Sequence, residues 1–93
     1  MNNNQIDNTD YYLLPSGKYL EDFIWHKKLS FAHGCALKYV WRAGKKDGES
    51  RGKDIDKYDH YIRFIAKETR VDIIDVAYEI LKLKDEAERW GFE

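Results

Sequence analysis

The stretch Ser30-Phe31-Ala32-His33-Gly34-Cys35-Ala36-Leu37-Lys38-Tyr39-Val40-Trp41-Arg42-Ala43-Gly44 reads as one helix between two punctuation marks. Ser30 is a good N-cap, because its hydroxyl can accept from an otherwise orphaned backbone N–H of the first turn. Ala36, Leu37, Val40 and Trp41 recur at the three- and four-residue spacing that lines side chains along one helix stripe. Gly34, in the first turn, leaves room for another backbone or a ligand to come close. Gly44 stands where a helix C-terminus commonly places a residue of positive φ, and that conformation is expected there.

The same logic extends in both directions. Leu20, Phe23, Ile24 and Lys27 lie at helical spacing, with Trp25 to one side, and predict a helix from near Ser16–Lys18 to just before Ser30. Tyr11-Tyr12-Leu13-Leu14 is a short apolar run stopped by Pro15, and reads as an extended segment laid on the core. Met1 to Asp10 is Asn-rich and almost free of apolar groups, the composition of a flexible tail. Toward the C-terminus, Asp47 to Gly52 has the make-up of a loop. Ile55, Tyr58, Ile62 and Ile65 then predict a helix over 53–67. Thr69 with Asp72 three residues on fits the start of a last helix, running to about Trp90, with Gly91 suited to its end. No strand alternation, internal repeat or sustained heptad is present. The expected fold is all-α: a small bundle of about four helices, forming a single domain over residues 11–93 behind a tail over residues 1–10.

The last of these helices is unusual. Between Val71 and Leu83 the polar residues are Asp72, Asp75, Glu79 and Lys82, spaced by three, four and three, so they form one narrow stripe. The rest of the circumference is apolar, and a helix apolar on most sides must be covered on most sides. Three short helices in a monomer can scarcely do that. The expectation is a homo-oligomer packed through the long C-terminal helix.

Composition sets outer limits. The chain has 93 residues, which fits one domain with a modest core. Three Trp and seven Tyr are a high aromatic load for that size, so some of this surface is expected to meet a ligand or another subunit. The net charge of −1 does not announce a nucleic-acid binder, and nucleic acid is not expected as a partner. The charge is uneven, however. From Lys38 to Lys57, seven Lys/Arg stand against four Asp/Glu, and from Tyr58 to Glu93 six stand against nine. The basic middle could pair with the acidic third or serve an anionic ligand. Cys35 is alone, which excludes an internal disulfide and fits a reducing cytoplasm. No apolar run reaches membrane-spanning length and no signal-peptide pattern opens the chain, so it reads as soluble and cytoplasmic, with no membrane partner.

Candidate chemistry centres on the end of the Ser30–Gly44 helix. Lys38 and Arg42 lie one turn apart on one face, and Lys45 and Lys46 follow on a loop, with Tyr39 and Trp41 between them. A loop of about six residues returns the chain, so Lys53, Asp54 and Lys57 could join the cluster. Tyr39 and Trp41 could stack on a base, the cations could hold phosphate, and Asp54 could orient Arg42. A solvated basic helix end that complements the helix dipole accounts for the spacing at least as well. His33 could reach a phosphate or transfer a proton near neutral pH, although a histidine without chemistry is the plainer reading. Asp72, Asp75 and Glu79 share a face and could attract a hard cation, but Lys82 shares that stripe and would repel one. The chain has no Gly-x-x-x-x-Gly-Lys-Ser/Thr loop, no His-Glu-x-x-His and no zinc spacing. No resident cofactor or metal site is expected.

The residues Phe31, Gly34, Ala36, Lys38, Tyr39, Arg42, Gly44 and Lys46, followed after a variable loop by Asp54, Ile55, Lys57 and Tyr61, form a pattern. It resembles the SaV-like family of small bacteriophage proteins, catalogued as domain of unknown function 3310. The family pattern is Phe-x-x-Gly-x-Ala-x-Lys-Tyr-x-x-Arg-x-Gly-x-Lys, then Asp-hydrophobic-x-Lys and a Tyr. The resemblance runs from Tyr11 to Ile65 and leaves the last helix uncovered. Cys35, where members often carry Asn, and Tyr58, where a small residue is common, depart from it. A podophage member phosphorylates deoxynucleoside monophosphates without a P-loop. The resemblance therefore implies that Lys38, Arg42, Lys46, Asp54 and Lys57 bind nucleotide phosphates in the cytoplasm of a phage-infected host cell.

Three functional expectations follow. The first is a non-catalytic binder that sequesters a nucleotide or cyclic nucleotide used as a signal of host defence. The second is a nucleoside monophosphate kinase acting on the host nucleotide pool, which would need Mg²⁺ and two nucleotide sites. The third is a protein inhibitor of a host factor.

Overall fold

A computed structural model describes residues 11–45 and 48–92. The expected tail over residues 1–10, Lys46 and Glu93 lie outside the described residues. The chain folds as an all-α bundle of four helices: α1 Leu20–Lys27, α2 Phe31–Ala43, α3 Gly48–Thr69 and α4 Ile73–Arg89. No helix among the described residues is long and apolar enough to cross a membrane.

Helix α2 begins where the sequence places it. Ser30 is extended and its Oγ accepts from the His33 backbone N–H at 3.0 Å, which satisfies one of the first-turn donors. Its core stripe, Ala36, Leu37 and Trp41, is buried and faces α3 and α4, with Val40 packed partly against it. Gly34 is also buried, because Ile24 of α1 presses on it: a Cβ there would lie 3.3 Å from Ile24 Cγ2. Gly34 thus lets α1 cross α2 at backbone distance.

Gly44 is a correction. It sits at φ −70°, ψ −14°, in the right-handed region, not at positive φ. The chain leaves α2 through a tight turn instead, with Gly44 N–H shared between the Val40 and Trp41 carbonyls at 3.2 Å each. The non-glycine residues that enter the left-handed region at helix ends are Lys28 after α1 and Arg70 after α3.

Helix α3 is longer than its spacing suggests. Gly48 to Gly52, expected as loop, is the first part of a 22-residue helix. A formed helix extends cheaply, one hydrogen bond per added residue, and an exposed glycine weighs against that by only about 1 kcal/mol. Glu49 in its first turn favours the positive end of the helix dipole. The junction with α4 also differs from expectation. Thr69 belongs to α3, its hydroxyl donating to the Ile65 carbonyl at 2.6 Å. The cap of α4 is Asp72, whose Oδ1 accepts from Ile74 N–H at 2.8 Å.

The segment before α1 lies on the core as expected, with Leu14 buried. It is not simply extended: Tyr11 and Tyr12 form a tight helical turn, and Leu13 bridges to Tyr19. The chain closes against it at the other end. Trp90 packs edge-on to Phe23 at 5.8 Å, and Gly91, at φ +96°, tucks beside Ser16 and Lys18.

Helix α4 uses less of its apolar surface than it carries. Val76, Ile80 and Ala87 are buried and Ile73, Ala77 and Leu83 are half-buried against the core. Ile74, Tyr78 and Leu81 are exposed, Ile74 by 74% and Tyr78 by 72%, as is Val71 just before the helix. The polar residues Asp75, Glu79 and Lys82 separate the buried face from this exposed apolar one.

Candidate functional site

The α2–α3 pairing decides which of the candidate residues meet. On α2, Cys35, Lys38, Tyr39 and Arg42 share one side by their spacing of three, four and seven, and on α3 Asp54, Lys57, Tyr58 and Tyr61 do the same. The two sides pack together. Tyr39 stacks on Tyr61, with rings 10° from parallel and centroids 6.0 Å apart. Phe31 meets Tyr61 edge-on at 6.3 Å, and His60 meets it at 5.0 Å. Lys38 from α2 and Lys57 from α3 both place their ammonium groups over the ring of Tyr39, at 4.8 and 5.3 Å. Neither lysine is in an ion pair among the described residues. The result is two uncommitted cations over an aromatic platform, a pairing that attracts anions carrying an aromatic group.

Arg42 lies one turn beyond and is held from two sides. Its Nη1 donates to the Tyr12 hydroxyl at 2.9 Å, and its guanidinium stands over the rings of Tyr11 and Tyr12. Its Nε lies 3.5 Å from Asp54 Oδ2, close enough for an ion pair but without hydrogen-bond geometry. Burial pulls the Arg42 pKa down, but the Tyr12 hydrogen bond and the charges of Tyr12, Asp54 and Tyr39 outweigh it, so the value ends above the ordinary one. Arg42 is charged at every physiological pH. Tyr61 is likewise held above the ordinary tyrosine value, first by the charge of Cys35, then by a hydrogen bond to Cys35, burial and Tyr39.

Lys38, Tyr39, Arg42, Asp54 and Lys57 are therefore brought together. Three other candidates, Lys45, His33 and Trp41, are not. Lys45 stands over Trp41 at 5.1 Å, and Lys84 of α4 stands over the same ring, which places Lys45 on the α4 side of α2. His33 is nine residues before Arg42, two and a half helical turns, and so points the opposite way. Its Nδ1 lies 2.6 Å from Ser30 Oγ and its Nε2 3.6 Å from Glu79. Lys46 lies outside the described residues. Trp41, read as a possible stacking partner for a base, is only 1% exposed and belongs to the core; its indole N–H is buried without a hydrogen-bond partner among the described residues.

Two participants are not apparent from the spacing around Arg42. Tyr12 reaches Arg42 across thirty residues of sequence, and no local pattern reports such a contact. Tyr61, already part of the family pattern, lies seven residues after Asp54 and thus on the same helix side.

No group of three or more His, Cys, Asp or Glu among the described residues could hold a metal ion. Compared with family models, curated proteins and solved structures, the chain matches none.

Proposed function

We propose that this face of α2 and α3 binds the phosphate and base of a nucleotide or cyclic nucleotide, and that the protein acts as a non-catalytic binder. The observation that carries the reading is the convergence of Lys38 and Lys57, from different helices, over Tyr39. Two lysines left without carboxylate partners repel each other, and an anion between them relieves that repulsion. Tyr39, Tyr61 and the 78%-exposed ring of Phe31 offer aromatic surface beside the charge, where a base can stack. The resemblance to the SaV-like phage family points to the same ligand class and to the same residues.

Binding is favoured over phosphoryl transfer by what Asp54 does. A kinase needs a carboxylate free to hold Mg²⁺ near the transferred group. Asp54 is buried and directed at Arg42 Nε, so it orients a guanidinium instead of facing solvent. The donor set does not fit a resident Mg²⁺.

The test is calorimetric titration of the wild type, Lys38→Ala, Lys57→Ala and Lys45→Ala with a deoxynucleoside monophosphate, ATP and a cyclic dinucleotide. At least one ligand should bind the wild type, and each of the first two variants should lose about tenfold, the equivalent of one cation–phosphate contact near a protein surface. Lys45→Ala should bind as the wild type does. Equal weak binding by all four proteins would exclude the site. Mg²⁺-dependent formation of a phosphorylated product, removed by Arg42→Ala, would replace the binder reading with the kinase reading.

A further inference from the structure

We propose that the exposed stripe of α4 is the contact surface for a second copy of this chain, docked with its own α4 running antiparallel. The inference is independent of the nucleotide reading, because the stripe and the Lys38–Lys57 site lie on different elements.

Ile74, Tyr78 and Leu81 follow one another at four and three residues, so they share one line along the helix. All three are exposed, at 74%, 72% and 46%. Their line continues onto Ile55 of α3, which lines a groove of 430 Å³ together with Leu81, Val40 and Lys84. A contiguous apolar strip of this kind on a small domain marks a contact surface.

The charges beside the strip select the partner. Asp75 and Lys82 both border it on the same side, both are exposed, and neither is in an ion pair among the described residues. They are seven residues apart, about 10.5 Å along the axis, which is too far for them to pair within one chain. In an antiparallel pair related by a two-fold axis near Tyr78, the border of one helix faces the same border of the other with its direction reversed. Asp75 then meets the partner's Lys82, and Lys82 meets the partner's Asp75. In a parallel pair the two-fold axis runs along the helices and sets this border against the opposite one, so Asp75 and Lys82 would not meet and the complementarity would go unused. Self-complementarity of this kind is what an isologous dimer requires and what an unrelated partner would match only by chance.

The experiment is sedimentation equilibrium on the full chain, with circular dichroism on each variant to confirm the helical fold. The wild type should be a dimer, or a higher assembly of dimers, at micromolar concentration. Tyr78→Asp, a change at a solvent-facing position, should keep the helical signal and yield monomer. Asp75→Lys and Lys82→Glu should each weaken association at least about tenfold, because each places two like-charge pairs across the contact. The double variant carrying both changes restores opposite charges and should recover most of the lost affinity. A monomeric wild type at hundred-micromolar concentration would overturn the proposal. So would an oligomer unaffected by Tyr78→Asp, or a double variant no tighter than the single ones.

Discussion

Asp54 Oδ2 lies 3.5 Å from Arg42 Nε, and Asp54 is the one charged side chain fully buried among the described residues. This pair fastens the first part of α3 to the last turn of α2. Because the Arg42 side chain keeps 24% of its exposure, water moderates the pair, and its loss should not reach the 3–5 kcal/mol of a fully buried ion pair. Asp54→Ala is expected to lower stability by about 2 kcal/mol. The comparison is urea unfolding beside Lys57→Ala, which should stay within about 0.5 kcal/mol of wild type. Equal stability of the two variants would show that Asp54 contributes nothing to the α2–α3 contact.

Two glycines should respond in opposite ways. Gly91 has φ +96°, and a Cβ there would come within 2.5 Å of Ser16 Oγ and 2.8 Å of Lys18 Cδ. Gly91→Ala should cost about 1–3 kcal/mol through backbone strain. Gly44 has φ −70° and meets nothing closer than 3.5 Å. Gly44→Ala should be neutral or stabilise by about 0.4–1 kcal/mol, since alanine narrows the unfolded ensemble. Thermal melts of the two variants side by side give the sign of each.

The cap of α4 supplies a third case. Asp72→Ala removes the carboxylate that accepts from Ile74 N–H and should cost about 1 kcal/mol. Thr69→Ala loses only a hydroxyl bonded back to the Ile65 carbonyl inside α3, and should change stability by less than half as much. The denaturation midpoints distinguish the two, and the reverse order would restore Thr69 as the cap.

Alkaline pH tests the Cys35–Tyr61 contact. Tyr61 is held above the ordinary tyrosine pKa of about 10, chiefly by the charge of Cys35. The native state then binds that proton more tightly than the unfolded chain does. The associated stability is intact below the ordinary value and is lost as pH rises through the raised one. Tyr58 shifts in the same direction, through burial first and then Asp59. Cys35→Ala should return the Tyr61 midpoint toward the ordinary value and leave Tyr58 where it is. Site-resolved NMR titration of labelled tyrosines would show this, and an unmoved Tyr61 would remove Cys35 as the cause.

Much of the architecture is legible from local pattern. The limits of α2 follow from Ser30 and Gly44, and its core face follows from Ala36, Leu37, Val40 and Trp41, because helical spacing fixes the direction of each side chain. Lys38 with Arg42, and Asp54 with Lys57, were readable as neighbours for the same reason. The misreadings have a common source. Gly44, Thr69 and the 48–52 stretch are judged from residue preference alone, yet tertiary packing chose among conformations that differ by about 1 kcal/mol. Lys45 left the cluster because the turn at Gly44 directs it toward Trp41. Trp41 sits among the cations in sequence, but its place on the buried stripe makes it core.

The grip of Tyr12 on Arg42 gives the opening segment of the chain a say in what the guanidinium can hold. Of the five guanidinium N–H donors, a phosphate that takes the Nη1 hydrogen now given to the Tyr12 hydroxyl would displace that hydroxyl, so arm and ligand would compete for this one donor. Competition of that kind is reciprocal: whatever tightens one hold loosens the other by the same free energy. Tyr12→Phe should thus leave the fold intact and sharpen the affinity for phosphate, and a saturating ligand should make the peptide bonds around Tyr11 and Tyr12 easier for a protease to reach. If the cluster binds phosphate, a single hydroxyl acts as a built-in antagonist of it.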